Sequence, residues 1–288
     1  MLAKTEMSGK RGNPGRSYAE RLLGRVEFAF VVGVLGQRPI ARLDTEYARN
    51  PDSSKRSSED RIHVFEHARD RGKPLPTDVI NRLAKEPELA LVSHIAKSMF
   101  WPLLLDPPQT RTVATKMVRR CLDQLNLIRL PVGLEEAWLS KKWKREAADK
   151  EWQEEAGLVR STIENLISEH PQNLNVVALL GALYREACLT FEPEAAGYLG
   201  TRFWMLLEDF FGTPQFDSIS AELCDFSVNR IVYDRDEGEA RRPFSELGSD
   251  RMPGKGVGLL LPGDDRDALE LLGSVNAYGG GAAAAGKK

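Results

Sequence analysis

The stretch richest in chemistry is five residues long: His63, Val64, Phe65, Glu66 and His67. On a helix, residues four apart stand one turn apart on one face. His63 and His67 would then present two imidazoles together. Two neutral imidazoles at that spacing can hold a zinc ion, and Glu66 beside them can polarise a metal-bound water. A third protein ligand is needed, and His94, Glu135, Glu136 and Glu146 are the residue types on offer. A plainer arrangement uses the same spacing. It is a solvated helix face on which His63 and His67 pair with Glu59, Glu66 or Asp70 at one-turn intervals.

The order H-x-x-E-H resembles the signature of the inverzincin metallopeptidases. The resemblance covers these five residues. It implies a zinc-dependent hydrolase, with zinc as cofactor, His63 and His67 as ligands and Glu66 as base. The flanking sequence, RIHVFEHARDRGK, lacks the mixed strand-and-helix setting of that family.

A second constellation lies in Arg111–Leu130. Ala114, Val118, Cys121 and Leu125 form one apolar stripe, and Lys116, Arg119 and Asp123 fall on the opposite side. The stretch has a Thr-rich start, an apolar inner face, a basic outer face and a turn at Asn126. In these features it resembles the recognition helix of a winged helix-turn-helix. That resemblance implies nucleic-acid binding, with Lys116, Arg119 and Arg120 against phosphates or base edges. No β-wing follows, because Pro131 leads directly into another helical pattern. The alternative is an ordinary amphipathic helix.

A third candidate is the charged stretch KKWKREAADKEWQEE. Trp138, Trp143 and Trp152 do not share a face at 100° per residue. At least one of Trp143 and Trp152 is therefore expected to be exposed or covered by a partner, so the two are candidate protein-interface anchors. The alternative is packing against the rest of the same chain. Other signatures are missing: there is no P-loop, no G-x-G-x-x-G after a strand and no G-x-S-x-G elbow. The acidic runs at Asp234, Asp236 and Glu237 and at Asp264, Asp265 and Asp267 lack EF-hand spacing.

Charge is divided unevenly along the 288 residues. Residues 1–130 carry 23 Lys and Arg against 15 Asp and Glu, and residues 131–288 carry 17 against 27. Such asymmetry points to a polyanion-binding region or to two halves that attract each other. Hydrophobic residues make up 42% and charged residues 28%, which is globular usage. Cys121, Cys188 and Cys224 are widely spaced, without a CxxC pair. They read as buried small hydrophobes in a reducing, cytoplasmic compartment. The apolar runs are too short or too charged to span a bilayer, so no membrane partner is expected.

The elements that must position these residues are helices. Apolar spacing and caps predict a mostly α fold, with almost no period-two signal. A flexible basic tail is expected over 1–16, a basic helical domain over 17–130 and an acidic helical bundle over 131–233. One long charged helix is expected at 133–169, and an irregular, low-complexity tail at 234–288. Ser17 and Glu20 form a capping-box pattern before the first helix. The leading functional expectation is a non-catalytic adaptor or regulatory subunit of a larger bacterial assembly, binding a protein partner and nucleic acid. The zinc hydrolase and a purely structural, self-assembling subunit are the alternatives.

Overall fold

The computed structural model describes residues 15–36, 38–48, 63–127, 161, 163–170, 172–190 and 193–242. Residues 133–160 of the charged helix expected at 133–169, with Trp138, Trp143 and Trp152, the first fourteen residues and the tail beyond 242 lie outside the described residues. Those that are described form a mostly α structure without a strand.

Helix α1 (Tyr18–Leu35) starts on the expected capping box. Ser17 Oγ accepts the Glu20 amide at 3.1 Å, and Glu20 Oε2 accepts the Ser17 amide at 2.9 Å. Two of the donors that a helix start leaves orphaned are thereby satisfied. Leu22, Val26 and Phe30 are buried, and Gly36 ends the helix at φ 73°. Next come α2 (Ile40–Leu43), a single π turn (Asp44–Ala48), α3 (Val64–Arg71) and α4 (Thr77–Leu83). A 3-10 turn (Pro87–Leu89) leads to α5 (Leu91–Lys97), α6 (Phe100–Leu105) and α7 (Arg111–Gln124). After a helical segment at 163–169 follow α8 (Leu174–Leu189), α9 (Pro193–Phe211), a 3-10 turn (Pro214–Phe216), α10 (Ser220–Ile231) and α11 (Glu237–Ala240).

Helix α8 is the centre of the bundle. The spacing predicts one apolar face, yet every residue from Leu174 to Ala187 is buried. A helix apolar on all sides must be covered on all sides, and α6, α7 and α9 pack around it. Helix α1 lies against α3, α5, α6 and the Pro214–Phe216 turn. Phe216 joins these layers, with ring centroids 5.8 Å from Phe30 and 5.1 Å from Phe211. Buried residues from both sides of Leu130 form one core. Residue 130, the expected boundary where the charge balance changes, lies outside the described residues. Across it, Arg25 of α1 meets Glu222 of α10 at 2.6 Å.

Several expected element limits shift, each for a physical reason. The apolar stretch Leu89–Leu105, whose spacing reads as a helix interrupted near Pro102, is interrupted at Ser98 and Met99. Asn175 Oδ1, on α8, accepts both the Ser98 hydroxyl and the Met99 amide at 3.0 Å. It therefore holds the residues before α6 from a distant part of the chain, and Ser98 Oγ accepts the Phe100 amide at 3.2 Å. Pro102 falls in the first turn of α6, where its missing N–H costs nothing. Helix α4 starts directly after Pro76, with Thr77 and Asp78 inside its first turn. Asn173 opens α8, its side chain accepting the Asn175 amide at 3.0 Å. Thr213 and Pro214 start only a 3-10 turn, and α10 is separate.

Candidate functional site

Helix α7 begins on Thr110, whose hydroxyl accepts the Val113 amide at 3.4 Å. Thr and Ser side chains favour this position because their oxygens replace a missing helical acceptor. The helix ends at the expected turn. Asn126 takes φ 57°, and the Leu127 amide donates back to the Leu122 carbonyl at 2.9 Å. Between these caps Ala114, Met117, Val118, Cys121 and Leu122 are buried. Thr115 lies 2.5 Å from Glu186 Oε1 of α8, a polar bolt within an apolar seam.

The opposite face is open. Lys116, Arg119 and Arg120 are all exposed, and none forms an ion pair with the described residues. Thr112 and Asp123 complete this face, and Val113 at its edge is 41% exposed. Spaced by three and four residues, Lys116 with Arg119 and Arg120 lie within about one helical turn. The structure therefore brings these three predicted residues together on one surface.

What fixes this face in place is an arginine that the sequence reading did not single out. Arg185 of α8 is 2% exposed. Its Nε and Nη2 donate to the Pro108 carbonyl at 3.2 and 3.0 Å, and Nη1 lies 3.5 Å from the Ile231 carbonyl. Nη2 also meets Asp234 Oδ1 at 2.9 Å. Gln109 donates to the same Asp234 oxygen at 3.0 Å. The loop leading into α7 is thus tied to α8, to the end of α10 and to the segment beyond it. Buried charge needs such partners, because desolvation costs far more than an exposed pair regains. The signal was present in the sequence: a lone arginine inside the apolar run Leu174–Ala187.

The H-x-x-E-H residues are arranged differently from their expected placement. His63 is the residue that precedes α3, with φ −108° and ψ 44°, and only Glu66 and His67 lie inside the helix. His63 Nδ1 pairs directly with Glu66 Oε2. This is the one-turn pairing of the plainer arrangement. The His63 and His67 rings stand 6.2 Å apart. Among the described residues no three His, Cys, Asp or Glu side chains group as a metal site, and His94 is exposed on α5. Glu135, Glu136 and Glu146 lie outside the described residues.

The α3 start is capped from another element. Buried Asp44 accepts the Phe65 amide at 3.0 Å. Burial raises its carboxyl pKa, and the Phe65 and Val64 amides, with His63, oppose that rise. The cysteines are free, and burial pushes the thiols of Cys121 and Cys224 up to about 12, far from a reactive thiolate. No helix among the described residues is long and apolar enough to cross a membrane.

Compared with protein-family models, curated proteins and solved structures, the chain matches none of them.

Proposed function

We propose that the protein is a non-catalytic helical adaptor or regulatory subunit, and that the outer face of α7 binds the phosphate backbone of a nucleic acid. The observation that carries this reading is the state of Lys116, Arg119 and Arg120. All three are exposed on one rigid helix, with donors not spent on ion pairs to the described residues. Cations so placed can neutralise phosphates and release counterions, which is the main source of sequence-independent affinity. Asp123 on the same face weakens the field and favours a short contact of a few phosphates over a long track.

In this reading the protein works in the cytoplasm within a larger bacterial assembly. Trp143 and Trp152 serve as its anchors for a protein partner. The test is binding of the purified full chain to labelled duplex and single-stranded DNA and RNA, starting at low salt. Binding that weakens as salt rises supports the reading. Absence of binding at the lowest salt contradicts it. Concentration-dependent, salt-sensitive oligomers in that second case would favour the self-assembling subunit instead.

A further inference from the structure

Glu27 sits in the middle of α1 and is 1% exposed. Its Oε2 accepts the Leu75 amide at 2.6 Å, and its Oε1 is buried with no hydrogen-bond partner. Leu75 belongs to the connection between α3 and α4, which runs along α1 with no spare room. A Cβ on Gly24 would stand 2.5 Å from the Gly72 carbonyl oxygen and 2.6 Å from the Lys73 carbonyl carbon. Gly72 itself takes φ 59°, a conformation that other side chains adopt with strain. A carboxyl group is therefore sealed into a backbone-to-backbone contact, with one hydrogen bond and no counter-ion among the described residues.

The charged residues on the elements packed around it do not supply one. Helix α3 carries Glu66, His67, Arg69, Asp70 and Arg71, and Lys73 follows it. The Pro87–Leu89 turn carries Glu88, and α5 carries His94 and Lys97. On α1 itself are Glu20, Arg21 and Arg25. Helix α6 and the Pro214–Phe216 turn bring no charge. Each of these charged side chains is at least partly exposed. None of them shifts the Glu27 titration: burial raises its pKa to about 8, and only the Leu75 amide opposes it.

We propose that Glu27 is a pH-sensitive latch between α1 and the α3–α4 connection. As the neutral acid it allows the seam to close, and as the carboxylate it drives the connection off α1. Its value in the folded chain lies above the ordinary 4.5. Between about pH 4.5 and 8 the closed form therefore holds one proton more than the open form. Closure is strongest below that window and weakens as pH rises through it. Opening would also release the end of α3, the helix that carries Glu66 and His67.

Two measurements on the full chain test this. The first is a side-chain carboxyl NMR titration, which should find one glutamate that titrates near pH 8. The second is amide exchange at Leu75, corrected for intrinsic rate. Protection there should fall about tenfold per pH unit between pH 5.5 and 7.5. Glu27→Gln keeps the shape without the charge and should abolish that dependence. The proposal is overturned if every glutamate titrates below pH 6, or if Glu27→Gln retains the same slope. Should Glu27→Gln fail to fold, the wild-type titration alone decides.

Discussion

Neighbouring helices put the same kind of side chain to opposite uses. On α8, Arg185 is buried, and its guanidinium is shared among the Pro108 carbonyl, the Ile231 carbonyl and Asp234. On α7, Lys116, Arg119 and Arg120 are exposed and make no ion pair with the described residues. Arginine has five N–H donors in a rigid fork. Where the described residues consume them the residue holds structure, and where they do not the residue can hold a ligand. A count of charges along the chain does not separate the two. The basic excess of residues 1–130 omits Arg185, and it includes Arg25, which is already committed to Glu222.

This contrast predicts a graded series of substitutions. Arg185→Ala should have the largest effect on folding. It leaves Asp234 and two carbonyls without their cation, and urea unfolding should register a loss of about 3–5 kcal/mol. A midpoint close to wild type would break the comparison at once. Arg230→Ala should rank second. This half-buried residue donates to the Leu104 and Leu105 carbonyls at 3.1 Å and to the Arg235 carbonyl at 2.7 Å, pinning the end of α6. A loss of about 1.5–3 kcal/mol is expected in the same assay. Arg25→Ala removes a pair with Glu222 whose side chains are 36% and 35% exposed. Solvent screening should hold that loss below about 1 kcal/mol, and high salt should erase it. The joint change of Lys116, Arg119 and Arg120 to Ala should leave the unfolding midpoint where it is. If the triple variant unfolds early, those residues are structural and the contrast with Arg185 disappears.

What was legible in the sequence was local. Ser17 and Glu20, Gly72 after α3 and Asn126 after α7 all signal an element limit within a few residues of it. The outward placement of Lys116 and Arg119 follows from helical period alone. The remainder depended on partners far along the chain. The break before α6 is made by Asn175, 77 positions beyond Ser98. The cap of α3 is Asp44, 21 positions before Phe65. Arg185 was visible as an oddity in an apolar run, but its role required the Pro108 loop and the end of α10 to converge on it. His63 and His67 share a five-residue spelling with a metal motif, yet that spelling fixes neither where α3 begins nor which carboxylate His63 meets.

The most direct test of the account is anisotropy of labelled DNA and RNA across a salt series, with the wild type beside the triple variant at Lys116, Arg119 and Arg120. The account predicts a linear fall of log affinity with log salt for the wild type. For the triple variant it predicts a slope smaller by roughly 3, with much weaker binding at physiological salt. Equal slopes and equal affinities for the two proteins would contradict it, as would a wild type that binds nothing at the lowest salt.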